Sequence, residues 1–189
     1  MQGQKIQQLN EGLRQFRDEL LRDEMACRRV EIAVVPFGPV VKNSAFYPAD
    51  HFDPQPMTAG DFTPMGAAVE YAVELVAQQK AVYRSHGITY FRPWIILMTD
   101  GGPTDDISRA TQLVHDGEAA KAFTFFAVGV DQANIPTLAR LSVKPPLKMR
   151  GIAFREFFLW LSASLSGVSK STPGTSAAIA APSSWTVET

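Results

Sequence analysis

The chain has one cysteine, Cys27, among 189 residues, so it cannot close an internal disulfide. That usage fits a reducing cytoplasm. With no cysteine-protease context around it, Cys27 reads as a small packed residue rather than a nucleophile. No run reaches the roughly 20 consecutive apolar residues that a membrane helix needs, and the start lacks a basic-then-apolar signal pattern. A net charge of −1 leaves no global positive field to attract nucleic acid or an anionic membrane. The marks of common enzyme sites are missing too. No G-x-G-x-x-G follows a strand pattern, and G-x-x-x-x-G-K-[ST], H-E-x-x-H and G-x-S-x-G do not occur. His51, His86 and His115 are scattered, and no two have metal-ligand spacing. These absences point to a cytoplasmic protein that touches neither nucleic acid nor membrane and has no ready-made catalytic centre.

What is present is the length and apolar content of one globular domain. Hydrophobic residues make up 46% and charged residues 20%, which is ordinary for a packed core of this size. Residues 3 to 26 have helical spacing, with Ile6, Leu9, Leu13, Phe16, Leu20 and Leu21 recurring every three or four positions. Gly12 is a small propensity cost within that pattern. "RRVEIAVVPFG" predicts a strand over Val30 to Val35, ended by Pro36 and Gly38-Pro39. "VVKNSAFY" reads as its hairpin partner, and the Pro-, Asp- and Gly-rich stretch after it reads as a loop. A second helix is expected from Pro64 to about Arg84, with Thr63 as its N-cap.

"PWIILMTD" and "AFTFFAVGV" are near-continuous apolar runs, the pattern of strands buried on both faces of a parallel sheet. Helices are expected over "DISRATQLVHDGEAAK", "NIPTLARLS" and "FREFFLWLSASLSGVS", with "PPLKMRG" as a plain connection. In the last helix Phe154, Phe157, Phe158 and Leu161 share one face that should pack on the sheet. Trp160 lies off that stripe and is expected to be exposed. Residues 1–168 thus read as one domain. Residues 169–189, rich in Ser, Thr, Pro and Ala, read as a disordered tail that cannot bury enough surface to offset its ordering entropy. Strands alternating with helices define an α/β three-layer sandwich around a mostly parallel, doubly wound, Rossmann-like sheet. In such sheets the binding site lies beyond the carboxyl ends of the strands.

Asp100 sits at that end of the strand 93–99, followed by two glycines, a proline, Thr104, Asp105 and Asp106. A carboxylate at a strand end beside a tight turn suits a hard divalent cation. The plainer reading is an Asx-turn, with Asp105 or Asp106 capping the next helix. Thr63 in "DFTPMG" has the same two readings: a helix cap, or an oxygen offered to an ion.

Taken together, "FTPMG" and "MTDGGPTD" resemble the second and third parts of a metal-ion-dependent adhesion site in a von Willebrand factor A domain. "PWIILMTDGGPTDD" and "FREFFLWLSASLSGVSKS" are most similar to the bacterial tellurite-resistance TerY-type branch, and the resemblance covers roughly residues 1 to 170. It implies a doubly wound sheet with helices on both sides and a magnesium or manganese ion. Thr63 and Asp100 match two of that ion's ligands. A partner's carboxylate is implied at the open coordination position. It also implies a module that binds rather than catalyses, in a tellurite-resistance or stress-response system, with a protein phosphatase or a protein kinase as partner.

The opening "MQGQKIQQLNEGL" matches the end of the family's first turn, Asp-x-Ser-Gly-Ser-Met, and the helix after it. The first strand, with its Asp and two Ser ligands, is therefore expected to be absent from these residues. The start of the protein then lies upstream, or the gene is truncated, or another chain donates the strand. Thr63 and Asp100 alone are too few ligands for tight magnesium binding, so binding is expected to be weak or absent. The competing expectation is a Rossmann-like hydrolase or phosphotransfer enzyme using Asp100, for which no adjacent nucleophile is evident.

Overall fold

The computed structural model describes residues 1–40, 43–60, 62–149, 153–172 and 186–187. The first helical stretch is two helices: α1 over Gln4–Arg22 and α2 over Glu24–Arg29. The expected single helix over 3–26 breaks at Asp23. Its carboxylate accepts hydrogen bonds from the amides of Met25 and Ala26, and this starts α2 afresh. Lys170 lies 2.7 Å from the same carboxylate. The Lys170 ammonium and the Ala26 amide bring the pKa of Asp23 down to about 2.

The remaining elements are β1 (Glu31–Ile32), β2 (Tyr47–Pro48), α3 (Met65–Ser85), β3 (Trp94–Thr99), α4 (Ser108–Ala119), β4 (Thr124–Val130), α5 (Ile135–Leu141), β5 (Leu147–Met149), α6 (Phe154–Ser169) and β6 (Thr186–Val187). The main sheet has the order β3-β4-β5-β6, parallel from β3 to β5 and antiparallel at β6. The expected α/β architecture is therefore present. "PPLKMRG" is not a plain connection, because Leu147–Met149 pairs with Val128–Val130. The expected strand over Val30 to Val35 pairs only at Glu31–Ile32, in a separate antiparallel couple with Tyr47–Pro48. Part of its expected hairpin partner, residues 41–42, lies outside the described residues. Most of the expected tail, residues 173–185 and 188–189, also lies outside them.

Two apolar cores lie on opposite faces of the sheet. One gathers α1, α2 and α6 around Val128, Val130, Leu147 and Met149. The other gathers α3, α4 and α5 around Ile95, Leu97, Phe125 and Ala127. Alternation along β3 and β4 sorts the side chains between the two cores. The predicted face of α6 is buried, with Phe154, Phe157, Phe158 and Leu161 each at most 5% exposed. That face meets α1 as well as the sheet. Gly12 is the crossing point: a Cβ there would lie 2.6 Å from Cδ2 of Phe158. The glycine that looked like a propensity cost is thus what lets the two helices approach. Trp160 is half-buried rather than exposed, with its ring 5.7 Å from that of Phe157.

Candidate functional site

Two loops meet beyond the carboxyl end of β3. One carries Asp100 to Asp106, and the other carries Phe62 and Thr63 into α3. They are joined by their backbones. The Thr104 amide donates to the Thr63 carbonyl at 2.9 Å, and the Thr63 amide donates to Oγ1 of Thr104 at 3.0 Å. Asp105 adds a second link: its carboxylate accepts from the amides of Gly66 at 3.0 Å and Ala67 at 2.9 Å. It therefore caps α3 from across the cleft, where its charge also favours the positive end of the helix dipole.

This revises two expectations. Thr63 does not cap α3 through its side chain; the helix starts at Met65 with Pro64 in the cap position. Asp105 does not cap the helix that follows it. Nor does Asp106 occupy the cap position, which is Ile107; one residue earlier, it makes an Asx turn in which its carboxylate accepts from the amide and hydroxyl of Ser108. Those two donors hold its carboxyl below the ordinary range. Gly66 is needed where the loops cross, because a Cβ there would lie 2.3 Å from the Asp106 carbonyl oxygen.

The junction brings Thr63 beside the Asp100 turn. Oγ1 of Thr63 lies 3.8 Å from where a Cβ on Gly101 would be. Asp100 itself is mostly buried and paired. The Met1 amine lies 3.1 Å from Oδ1, and Nζ of Lys5 lies 3.4 Å from Oδ2. Lys5 also reaches Asp131, at 2.7 Å. Its pKa is raised, first by the hydrogen bond to Asp131, with burial opposing the rise and Asp100 adding to it.

Asp131 is a site residue that the sequence reading passed over. It stands at the carboxyl end of β4 as Asp100 stands at the end of β3, and it holds a left-handed backbone conformation at φ 53°. "FAVGVD" carries the same signal as "ILMTD": an acid directly after a buried apolar run. Phe62, next to Thr63, is 72% exposed, the most exposed large apolar side chain among the described residues.

A hard dication wants about six oxygen ligands. The two expected ligands fall short of that, and one is already neutralised by two ammonium groups. Among the described residues no group of three or more His, Cys, Asp or Glu could hold an ion. The residues present do not by themselves make up a magnesium site. The best-connected buried carboxylate elsewhere, Glu118, is a structural tie. Burial pushes its pKa up, but Lys144 at 2.7 Å, the Phe125 amide and Arg92 outweigh that and hold it below the usual range. Among the described residues no helix is long and apolar enough to cross a membrane.

No curated protein matches the chain. The von Willebrand factor type A domain family matches residues 50–157, more than half of the sequence, including both loops of the site. Domains of this family have a Rossmann-like α/β fold and are generally protein-interaction modules, typically without enzymatic activity. With that match spanning Thr63, Asp100 and the parallel sheet behind them, the chain belongs to the von Willebrand factor type A domain family.

Proposed function

We propose that the chain is a non-enzymatic interaction module of a tellurite-resistance or stress-response type system, of the TerY-type branch. It captures an acidic residue of a protein partner at the carboxyl end of its sheet. What supports this reading is the joined loop pair, which sets an exposed aromatic, Phe62, near a half-buried and charge-balanced centre at Asp100. An exposed aromatic beside polar anchors is the composition that interface hot spots favour. A protein phosphatase or protein kinase of the same system is the partner class.

Thr63 and Asp100 are proposed as part of a metal-ion-dependent adhesion site. The 189 residues contain no Asp-x-Ser-x-Ser, the motif of the family's first strand. Magnesium or manganese therefore binds this chain weakly or not at all. Calorimetric titration detecting micromolar magnesium affinity would refute that.

The test of the face is Asp100→Ala, measured by calorimetry against the candidate phosphatase and kinase. Loss of binding with an unchanged circular dichroism spectrum supports the reading. Unchanged binding moves the interface elsewhere. Phosphoester turnover that disappears in Asp100→Ala would instead favour an enzyme.

A further inference from the structure

The geometry points to a docking groove for a basic helix of a protein partner, between the outer sides of α3 and α4. The groove has a volume of about 430 Å³. Its floor is apolar, built from Ala67, Val73 and Ala77 of α3 and Leu113 of α4. Its charged lining is Glu70 and Glu74 on one wall and Arg109 on the other. Those charges do not balance. Nε of Arg109 lies 3.4 Å from Oε2 of Glu70, and the arginine side chain is 79% exposed. Glu74 accepts from the Gln78 side-chain amide, and no cation pairs with it among the described residues. Two carboxylates thus line the groove against one loosely held guanidinium, which leaves it negative.

The sequence of α3 marks the same face. A surface helix keeps polar residues on the side opposite its apolar stripe. α3 buries Met65, Val69 and Val76 in the core. Its exposed positions nevertheless include Ala77, Ala81 and Val82 beside Glu74 and Gln78. Apolar residues on both faces are the pattern of a helix covered on both sides.

The groove also selects its occupant. Two helices offer no free backbone edge, so a strand laid between them would leave its own amides and carbonyls unpaired. A helix satisfies its backbone internally and sets its side chains into the grooves of both neighbours. The small floor residues Ala67 and Ala77 let it come close. The interval between them is about 15 Å of helix axis, which matches about three turns of the partner. An arginine on that helix can lay its methylenes on the apolar floor and set its guanidinium between Glu70 and Glu74, one turn apart on α3. Arg109 makes half of this contact from within the chain. Exposed ion pairs of that kind are weak, so it is the group that an incoming arginine displaces.

This inference goes beyond the Asp100 face and does not need it: that face is read as taking an acidic residue, and the groove takes a basic one. It is tested on the full 189-residue chain with the fluorescein-labelled peptide Lys-Ala-Leu-Arg-Ala-Ala-Leu-Arg-Lys-Ala-Leu-Arg-Ala-Lys-amide, followed by anisotropy and amide NMR. The expected result is saturable one-to-one binding, with shift changes at Glu74, Ala77 and Leu113. Glutamine at the peptide's three arginine positions should weaken binding about tenfold or more. Glu74→Gln, at an exposed position, should weaken it about fivefold. Arg109→Ala removes the internal competitor and should tighten binding about threefold. Arg14→Ala, exposed on α1 in the other helical layer, changes the net charge equally and should leave binding unchanged. Asp100→Ala should also leave it unchanged, which keeps the two sites separable. If a protein variant fails to fold, the glutamine peptide still decides the point on the unaltered chain. Four results would overturn the inference: no binding, equal binding of the glutamine peptide or by Glu74→Gln, equal effects of Arg109→Ala and Arg14→Ala, or a chain already dimeric through the groove that the peptide cannot displace.

Discussion

β3 and β4 look alike in sequence and differ in the molecule. "WIILMT" and "TFFAVGV" are both unbroken apolar runs. β4 has a partner on each side, and its last four residues are all buried. Among the described residues β3 has one partner, and it alternates buried with half-buried residues along its whole length. Its buried positions face the core under α3 and α4. Its half-buried positions, Trp94, Ile96 and Met98, face the core under α1 and α6. An apolar run therefore reports what a strand is suited to touch, not whether a neighbour is there. Among the described residues there is one sealed side, from β4 to α5, and one open seam, at the free edge of β3.

The sharpest way to probe this contrast is to truncate one side chain on each side of it. Phe125→Ala, on the sealed side and fully buried, should cost about 3–5 kcal/mol in urea unfolding. Met98→Ala, beside the seam and only half removed from water, should cost about 1–2 kcal/mol. Equal costs would mean that the seam is closed in solution.

Next in size is the loop junction. Gly66→Ala sets a Cβ against the Asp106 backbone, which cannot swing aside like a side-chain tip. A loss of about 1–3 kcal/mol is expected despite alanine's better helix propensity. An unchanged or higher melting temperature would show that the two loops are not tightly apposed. Asp105→Ala removes the cap that reaches α3 from the other loop and should cost about 1 kcal/mol. Amide exchange should rise at Gly66 and Ala67; unaffected exchange there would reject the cross-cap.

The smallest effect concerns pH. Asp23 is held down to about 2 from an ordinary 3.8. A depressed carboxylate stabilises the fold fully above its unfolded value and loses that contribution as pH falls through its folded value. Stability should therefore decline between about pH 4 and pH 2, and Asp23→Asn should flatten that decline. The carboxylate is at the surface, so the change is modest.

These particulars show which parts of the molecule were legible in the sequence. The two apolar strands and four of the helices follow from period alone, because each buries a continuous face. β5 did not show, since three residues between prolines and a glycine carry no period. The break at Asp23 did not show either: capping Asp and helical Asp look alike until the amides they face are known. Around the site, Asp100 was legible as an acid after a buried strand, and Asp131 could have been found by the same rule. Asp105 could not have been, because its partners are 38 and 39 residues away. Local capping chemistry assigned α3 to Thr63, and a tertiary contact overrode it. The unpaired edge of β3 was not legible, since no property of residues 94–99 in the sequence tells which of a strand's edges is paired.

The most direct test of the open seam is residue-resolved hydrogen exchange on the unliganded chain. Successive backbone amides of a strand point to opposite edges. β4 should be protected throughout its length, while in β3 alternate amides, those on the edge away from β4, exchange fast. Uniform protection along β3, equal to that of β4, would contradict the account and mean that the edge already has a partner.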